Sequence, residues 1–266
     1  MSVAPEFLSP HTPIAPGVRL CSTLRAGGIS RGPYGGWPDG ERGFNLGAHC
    51  GDDPDAVEVN RAMLEQTLPG VPHWLNQVHG RGVVEISASS TPPMIGPPAP
   101  VRADASVTRE RDRVLAVLTA DCLPVVFADQ QGRAIGIAHA GWRGLAMGVL
   151  EATLEAVLRL SGGAPADCAV WLGPSIGPDH FEVGPDVFHA FCDQDPGAAS
   201  AFRAATVKDK WRADLPALAR LRLRACGVET FSGGLWCTFA DRRRFYSFRR
   251  DRVTGRMATL VWISGL

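Results

Sequence analysis

Val114 to Gly144 reads VLAVLTADCLPVVFADQQGRAIGIAHAGWRG. The stretch holds three apolar runs, Val114–Thr119, Pro124–Ala128 and Ala134–His139, each too short for a helix and each ended by turn residues. Apolar runs of this length without polar alternation read as strands buried on both faces, so together they predict a central sheet. Two of them end in reactive side chains, in Thr119-Ala-Asp-Cys-Leu-Pro124 and in Ala138-His-Ala-Gly-Trp-Arg-Gly144. If those strands share one sheet, Cys122 and His139 converge.

Downstream, Met147, Leu150, Leu154, Val157 and Leu158 recur at helical spacing and Ser161-Gly-Gly163 stops the pattern, which predicts a helix over 144–160. Upstream, Asp53 as a cap and Pro54 in the first turn open a helix over 54–67. Further strands are expected at 18–23, 169–172, 229–231, 245–248 and 258–262, and helices at 185–191 and 215–225. Residues 74–78 and 82–86 read as paired strands around a turn at His79-Gly80-Arg81-Gly82. Residues 1–16 and the Pro-rich 88–100 read as a flexible arm and a flexible connection. What is left, 17–266, is expected to form a single α+β domain.

Lys plus Arg (27) balances Asp plus Glu (27), so no net field draws the chain to nucleic acid or to an anionic membrane. A small molecule is the better expectation for a partner. Seven cysteines, odd in number and never spaced CxxC, argue against a disulfide framework and for a reducing compartment. Residues 1–20 lack a basic start followed by an apolar run, which makes the cytoplasm the expected location. The most apolar stretch, Val114–Ala128, is broken by Asp121 and Pro124 and is too short to cross a bilayer.

His79, in Asn76-Gln-Val-His-Gly80, joins Cys122 and His139 as a third candidate at a strand end. Two imidazoles and a thiolate suit zinc, and three protein ligands leave a fourth position for water, the pattern of a catalytic site. Long intervals separate the three, however. Spacing alone favours the plainer assignment of Cys122 as a small buried hydrophobe and of both histidines as satisfied polar residues.

The wording of the segments adds to this. NQVHG (76–80), TADCLPV (119–125) and AHAGWRG (138–144) together resemble the YfiH family, also called the multicopper polyphenol oxidase laccase family. The similarity extends to TLRAGG (23–28), NLGAHCGDD (45–53), Ala103-Asp-Ala105, LGPSIG (172–177) and FYSFRRD (245–251), and so spans about residues 18–264. The resemblance implies two mixed β-sheets flanked by helices, with zinc held by His79, Cys122 and His139. It also implies a purine nucleoside enzyme that cleaves adenosine, inosine and methylthioadenosine with phosphate and deaminates adenosine to inosine. The older laccase label implies copper instead. Blue-copper sites usually add a weak axial group such as Met, and none of the three segments contains one, which favours zinc while leaving copper possible in vitro.

Deamination at such a site calls for a carboxylate that moves a proton, and Asp121 is favoured over Asp104. Each is equally a turn cap or a strand-edge acceptor. Phosphorolysis calls for an anion site. Arg143, in the turn that opens the 144–160 helix, is the first candidate, and Arg25, in its Gly-flanked loop, the second. Asn45 and His49 are candidates for binding substrate or for bracing their loop. The clusters Arg242–Arg244 and Arg249–Arg250 read as a solvated face, and Trp37, Trp142 and Phe181 as aromatics able to stack on a purine. The rival readings are an amidase editing peptidoglycan precursors, a metal-free hydrolase with Cys122 as nucleophile and His139 as base, a copper polyphenol oxidase, and a non-catalytic nucleoside-binding protein.

Overall fold

The three apolar runs divide between two sheets. In the computed structural model of the chain, which describes residues 5–38, 40–88 and 101–265, Leu115–Thr119 is the edge of a four-stranded antiparallel sheet. That sheet runs Phe7–Leu8, Val18–Thr23, Met257–Ile263, Leu115–Thr119. Leu123–Asp129 and Ile135–Ala140 are instead central neighbours in a six-stranded sheet. Its order is Thr230–Gly233, Cys168–Leu172, Leu123–Asp129, Ile135–Ala140, Ala105–Thr108, Val83–Glu85. The expected single sheet is broken at Asp121, whose φ of 103° turns the chain out of one sheet and into the other. A non-glycine residue in that region is strained, and the tertiary contacts of its carboxylate hold it there.

Both sheets are covered on both faces, which is why their sequences do not alternate apolar with polar. Along Leu123–Asp129 the side chains still alternate by direction. Val126 and Ala128 pack with Leu20, Leu115, Val117 and Val261 between the sheets, whereas Val125 and Phe127 pack with Leu150, Leu154 and Val157 on the helical side. On the outer face of the four-stranded sheet, Ala116, Leu118 and Leu260 meet Phe44, Leu46 and Leu64, the last from the helix Pro54–Glu65. The result is two large sheets flanked by helices, beside a small antiparallel sheet of Glu182–Val183, Trp211–Ala213 and Phe202–Ala204 and a two-stranded pair. The six-stranded sheet is mixed, with parallel pairing at both of its edges.

The helix expected over 144–160 is two, Trp142–Ala146 and Val149–Ser161, because Gly148 at φ 91° breaks the backbone between them. Gly162 at φ 69° then ends the second helix, as the sequence indicated. This helix lies so close to the sheet that a Cβ on Gly136 would stand 2.7 Å from Val157 Cγ2.

Other departures are local. Residues 74–78 and 82–86 do not pair with each other. Leu75–Asn76 runs parallel to Val101–Arg102, and Val83–Glu85 runs parallel to Ala105–Thr108. The strand expected at 245–248 is buried non-strand chain leading into the short helix Phe248–Asp251, because Ser247 caps that helix by accepting from the Arg250 N–H. Within the expected N-terminal arm, Phe7–Leu8 pairs with Ser22–Thr23 and Ala15 is buried, so this part is pinned to the sheet. Residues 1–4 of that arm and 89–100 of the expected connection lie outside the described residues. Among the described residues no helix is long and apolar enough to cross a membrane.

Candidate metal centre

Antiparallel pairing places His139 opposite Pro124, so Cys122, two residues before Pro124, comes to the same end of the sheet as His139. His79 arrives from a separate segment, and Asp104 brings it in. The Asp104 side chain is fully buried. Its Oδ1 accepts from the His79 N–H at 2.9 Å, and its Oδ2 from the N–H groups of Val78 at 3.2 Å and Gly80 at 2.6 Å. These bonds shape the 78–80 turn around a carboxylate in place of a hairpin ladder, and His79 takes φ 58° within it.

The same Oδ1 lies 2.9 Å from His139 Nδ1. An ionised carboxylate only accepts, so Nδ1 carries the proton and Nε2 is left as the ligand atom. The Asp104 backbone adds a third tie, its carbonyl accepting from the His139 N–H at 2.7 Å.

One ligand atom from each of His79, Cys122 and His139 falls within 4.8 Å of the others, and Cys122 Sγ lies 3.8 Å from His79 Nε2. Sulfur and nitrogen ligands of one tetrahedral zinc stand about 3.6 Å apart, so the donor set fits that ion. Gly141 keeps the space open: a Cβ there would lie 2.9 Å from His79 Cδ2 and 3.0 Å from Cys122 Sγ.

Electrostatics agree with a ligand thiolate. Burial opposes ionisation of Cys122, but His139 and His79 outweigh it and set the thiol down at about 6. Burial likewise opposes a charge on His139, and the Cys122 thiolate and Asp104 reverse the sign and raise it. Asp104 is held below the usual carboxylate range, the cost of burial being exceeded by bonds from His139 and the backbone amides.

The three residues line a pocket of about 470 Å³, together with His49, Phe248 and Arg256. No carboxylate lines it among the described residues. His49 is shifted toward its neutral form by burial and by the charges of Arg256 and Arg61.

The other sequence candidates lie elsewhere. Asp121 braces the bend between the sheets: Oδ1 accepts from the Thr238 hydroxyl at 2.6 Å and Oδ2 from the Arg249 N–H at 2.7 Å. Arg143 is exposed and lies over its neighbour, 4.5 Å from the Trp142 ring centroid. Arg25 is buried in its own loop, where Nε donates to the Gly35 carbonyl at 2.8 Å and Nη1 stands 3.8 Å from Asp251. Asn45 does not line the pocket, but its Oδ1 accepts from the Arg256 N–H at 2.8 Å.

Trp37, Trp142 and Phe181 are absent from the pocket lining, and Phe248 is the aromatic that is present. Arg250 is no solvated charge either: its guanidinium donates to the carbonyls of Thr238, Phe239 and Phe245. Sequence reasoning missed Arg256 and Phe248. Phe248 stood in the FYSFRRD segment, whereas nothing local separates Arg256 from the other arginines of the tail.

Comparison with known proteins agrees with this architecture. Residues 19–264 match the family described as multi-copper polyphenol oxidoreductase laccase. A purine nucleoside phosphorylase of Pseudomonas aeruginosa is 46% identical over 258 residues, covering 97% of this chain and 98% of that protein. Purine nucleoside phosphorylase YfiH of Escherichia coli is 44% identical over 260 residues, covering 97% and 99%. Among solved structures, a Neisseria meningitidis protein superposes with a TM-score of 0.86 at 45% identity, covering 97% and 99% of the two chains. YlmD from Geobacillus stearothermophilus superposes at 0.84 with 29% identity, covering 97% and 96%.

Proposed function

The chain belongs to the multi-copper polyphenol oxidoreductase laccase family, and from that membership we propose that it cleaves purine nucleosides with inorganic phosphate at the His79–Cys122–His139 pocket. The relatives from Pseudomonas aeruginosa and Escherichia coli, named as purine nucleoside phosphorylases, support this reading. The observation that carries it is the composition of the pocket. Three metal-suited donors share it with a half-exposed aromatic ring, Phe248, and with the basic side chains His49 and Arg256, free of any lining carboxylate. A flat purine suits the ring, and a phosphate dianion suits the Arg256 guanidinium with no acid lining the pocket beside it.

Adenosine, inosine and methylthioadenosine are the substrates we assign, with adenosine deamination as a second reaction of the same pocket. The metal is zinc, held by His79, Cys122 and His139, and no methionine lines the pocket to supply a blue-copper axial ligand. When bound, zinc supplies a Lewis acid that polarises a reacting group. The chain's own residues hold the geometry. Asp104 fixes the His139 ring and the 78–80 turn, Gly141 leaves room at the thiolate, and Phe248 offers an apolar face on one side of the pocket. Neither carboxylate weighed from sequence is placed to move a proton in deamination: Asp121 is engaged by Thr238 and Arg249, and Asp104 stands behind His139, whose Nε2 is committed to the metal.

A second reading has one observation in its favour. Asp104, His139 and Cys122 follow one another as acid, imidazole and thiol, the order of a nucleophilic cysteine triad that needs no metal. One preparation separates the two. Protein purified without added metal is assayed for zinc by elemental analysis, and adenosine incubated with and without phosphate is followed by chromatography. About one zinc per chain with phosphate-dependent release of adenine supports the phosphorylase. Absence of metal with hydrolysis blocked by alkylation of Cys122 supports the cysteine hydrolase.

A further inference from the structure

Phosphorolysis needs a place for phosphate, and the family's ligand triad does not say where that is. Of the arginines weighed from sequence, Arg143 lies over Trp142 away from the pocket, and Arg25 is already paired with Asp251. Arg256 differs from both. It lines the pocket, half-buried, and no ion pair engages it among the described residues.

Arg256 is also built into place. Its N–H donates to Asn45 Oδ1 at 2.8 Å, its carbonyl accepts from the Leu46 N–H at 3.2 Å, and Nη1 caps the carbonyls of Thr254 and Gly255 at 3.0 and 3.1 Å. Gly47 lets the side chain pass: a Cβ there would stand 2.7 Å from Arg256 Cγ. The strand end carrying Arg256 and the 45–53 loop carrying His49 are thereby joined as one wall. Burial and the charge of Arg256 hold His49 toward its neutral form, and an anion bound beside both would favour its protonated, donating form. On the same side, Phe248 stands with its ring 5.8 Å from the Arg256 guanidinium.

We propose that Arg256 and His49 form the oxyanion subsite that receives inorganic phosphate, with Asn45 as the residue that positions Arg256. The proposal rests on the phosphorolytic reading above. It places phosphate on the Arg256 wall, in the pocket that the metal ligands and Phe248 also line. Arg143 has no part in it.

The test uses the full zinc-loaded chain, inosine at saturation and inorganic phosphate as the titrant, with zinc content checked in every variant. Arg256→Met is expected to raise the phosphate concentration for half-maximal rate about 10- to 100-fold, the loss of one charge-assisted contact. The rate at saturating phosphate should fall much less. Arg256→Lys should recover part of the loss, and Arg143→Ala should leave the phosphate requirement where it is. Should Arg256→Met not fold, His49→Asn carries the test, with an expected rise in the phosphate requirement at unchanged zinc content. Phosphate-dependent cleavage with an unaltered requirement in these variants overturns the subsite and leaves the phosphorylase standing. Absence of phosphate-dependent cleavage in the unmutated protein overturns both.

Discussion

Asp104 Oδ1 stands 2.9 Å from His139 Nδ1, and the carboxylate that makes this bond also gathers the amides of Val78, His79 and Gly80. One buried side chain therefore orients one imidazole through its ring and the other through its backbone. His139 also sits in the antiparallel ladder opposite Pro124, whereas His79 lies outside any strand. The ligand set depends on a residue that lines no part of the pocket.

Asp104→Asn tests that dependence. The amide keeps an acceptor oxygen but loses the charge that fixes the His139 tautomer, and its NH₂ group faces backbone N–H donors. Zinc affinity, measured by competition with a chelator, is expected to fall about 10- to 100-fold. Unchanged affinity would mean that the 78–80 turn and the His139 ring hold their positions without the carboxylate.

Cys122 supplies a pH signature in metal-free protein. Its thiol is set at about 6, so the thiolate dominates at neutral pH, whereas an ordinary cysteine is mostly protonated there. Alkylation by iodoacetamide, followed by mass spectrometry at Cys122, should rise with pH through a midpoint near this value, and zinc should protect. A midpoint in the ordinary thiol range would show that the imidazoles do not reach the sulfur.

Gly141→Ala separates the site from the fold. The backbone at Gly141, φ −63° and ψ 156°, is open to any L residue, so chain strain is not the issue. The three atoms nearest the added methyl all belong to His79 and Cys122. Thermal unfolding of the metal-free variant should match the parent within a few degrees while zinc content drops. A large loss of stability would mean that the 138–144 segment needs glycine for folding as well.

The sequence brought His79, Cys122 and His139 forward as candidates because all three sit in distinctive segments at strand ends, where chain direction alone limits where side chains go. It named Asp104 but not its part, since a carboxylate that organises three amides looks, in one dimension, like any acid at a strand edge. The split of the three apolar runs between the two sheets escaped for a related reason. The turn at Asp121 is imposed by Thr238 and Arg249, more than a hundred residues away. Arg143 misled because nearness to His139 in the chain says nothing of direction: a helix starting at Trp142 swings it onto that ring. Arg256 was illegible for the converse reason, being delivered to the pocket through Asn45, 211 positions away.

The acid limb of stability should report the turn that delivers His139. Asp129, 1% exposed, accepts from Arg133 Nε at 2.9 Å and Nη2 at 2.7 Å and from the N–H groups of Gln131 and Arg133, closing the 129–134 turn ahead of Ile135–Ala140. The Arg133 guanidinium, opposed by burial and aided by those amides, holds its carboxyl below the usual range. A group whose folded value is depressed contributes stability that is complete above its unfolded value, about 3.9, and lost as pH falls through the folded one. Asp129→Asn should therefore cost about 1–3 kcal/mol at neutral pH, since one amide cannot accept all four bonds. It should also flatten the decline in stability below pH 4, read from urea midpoints across pH. Arg133 is partly exposed, so Arg133→Ala should cost less than Asp129→Asn. Equal losses from the two would place the contribution in the ion pair, and not in the buried turn.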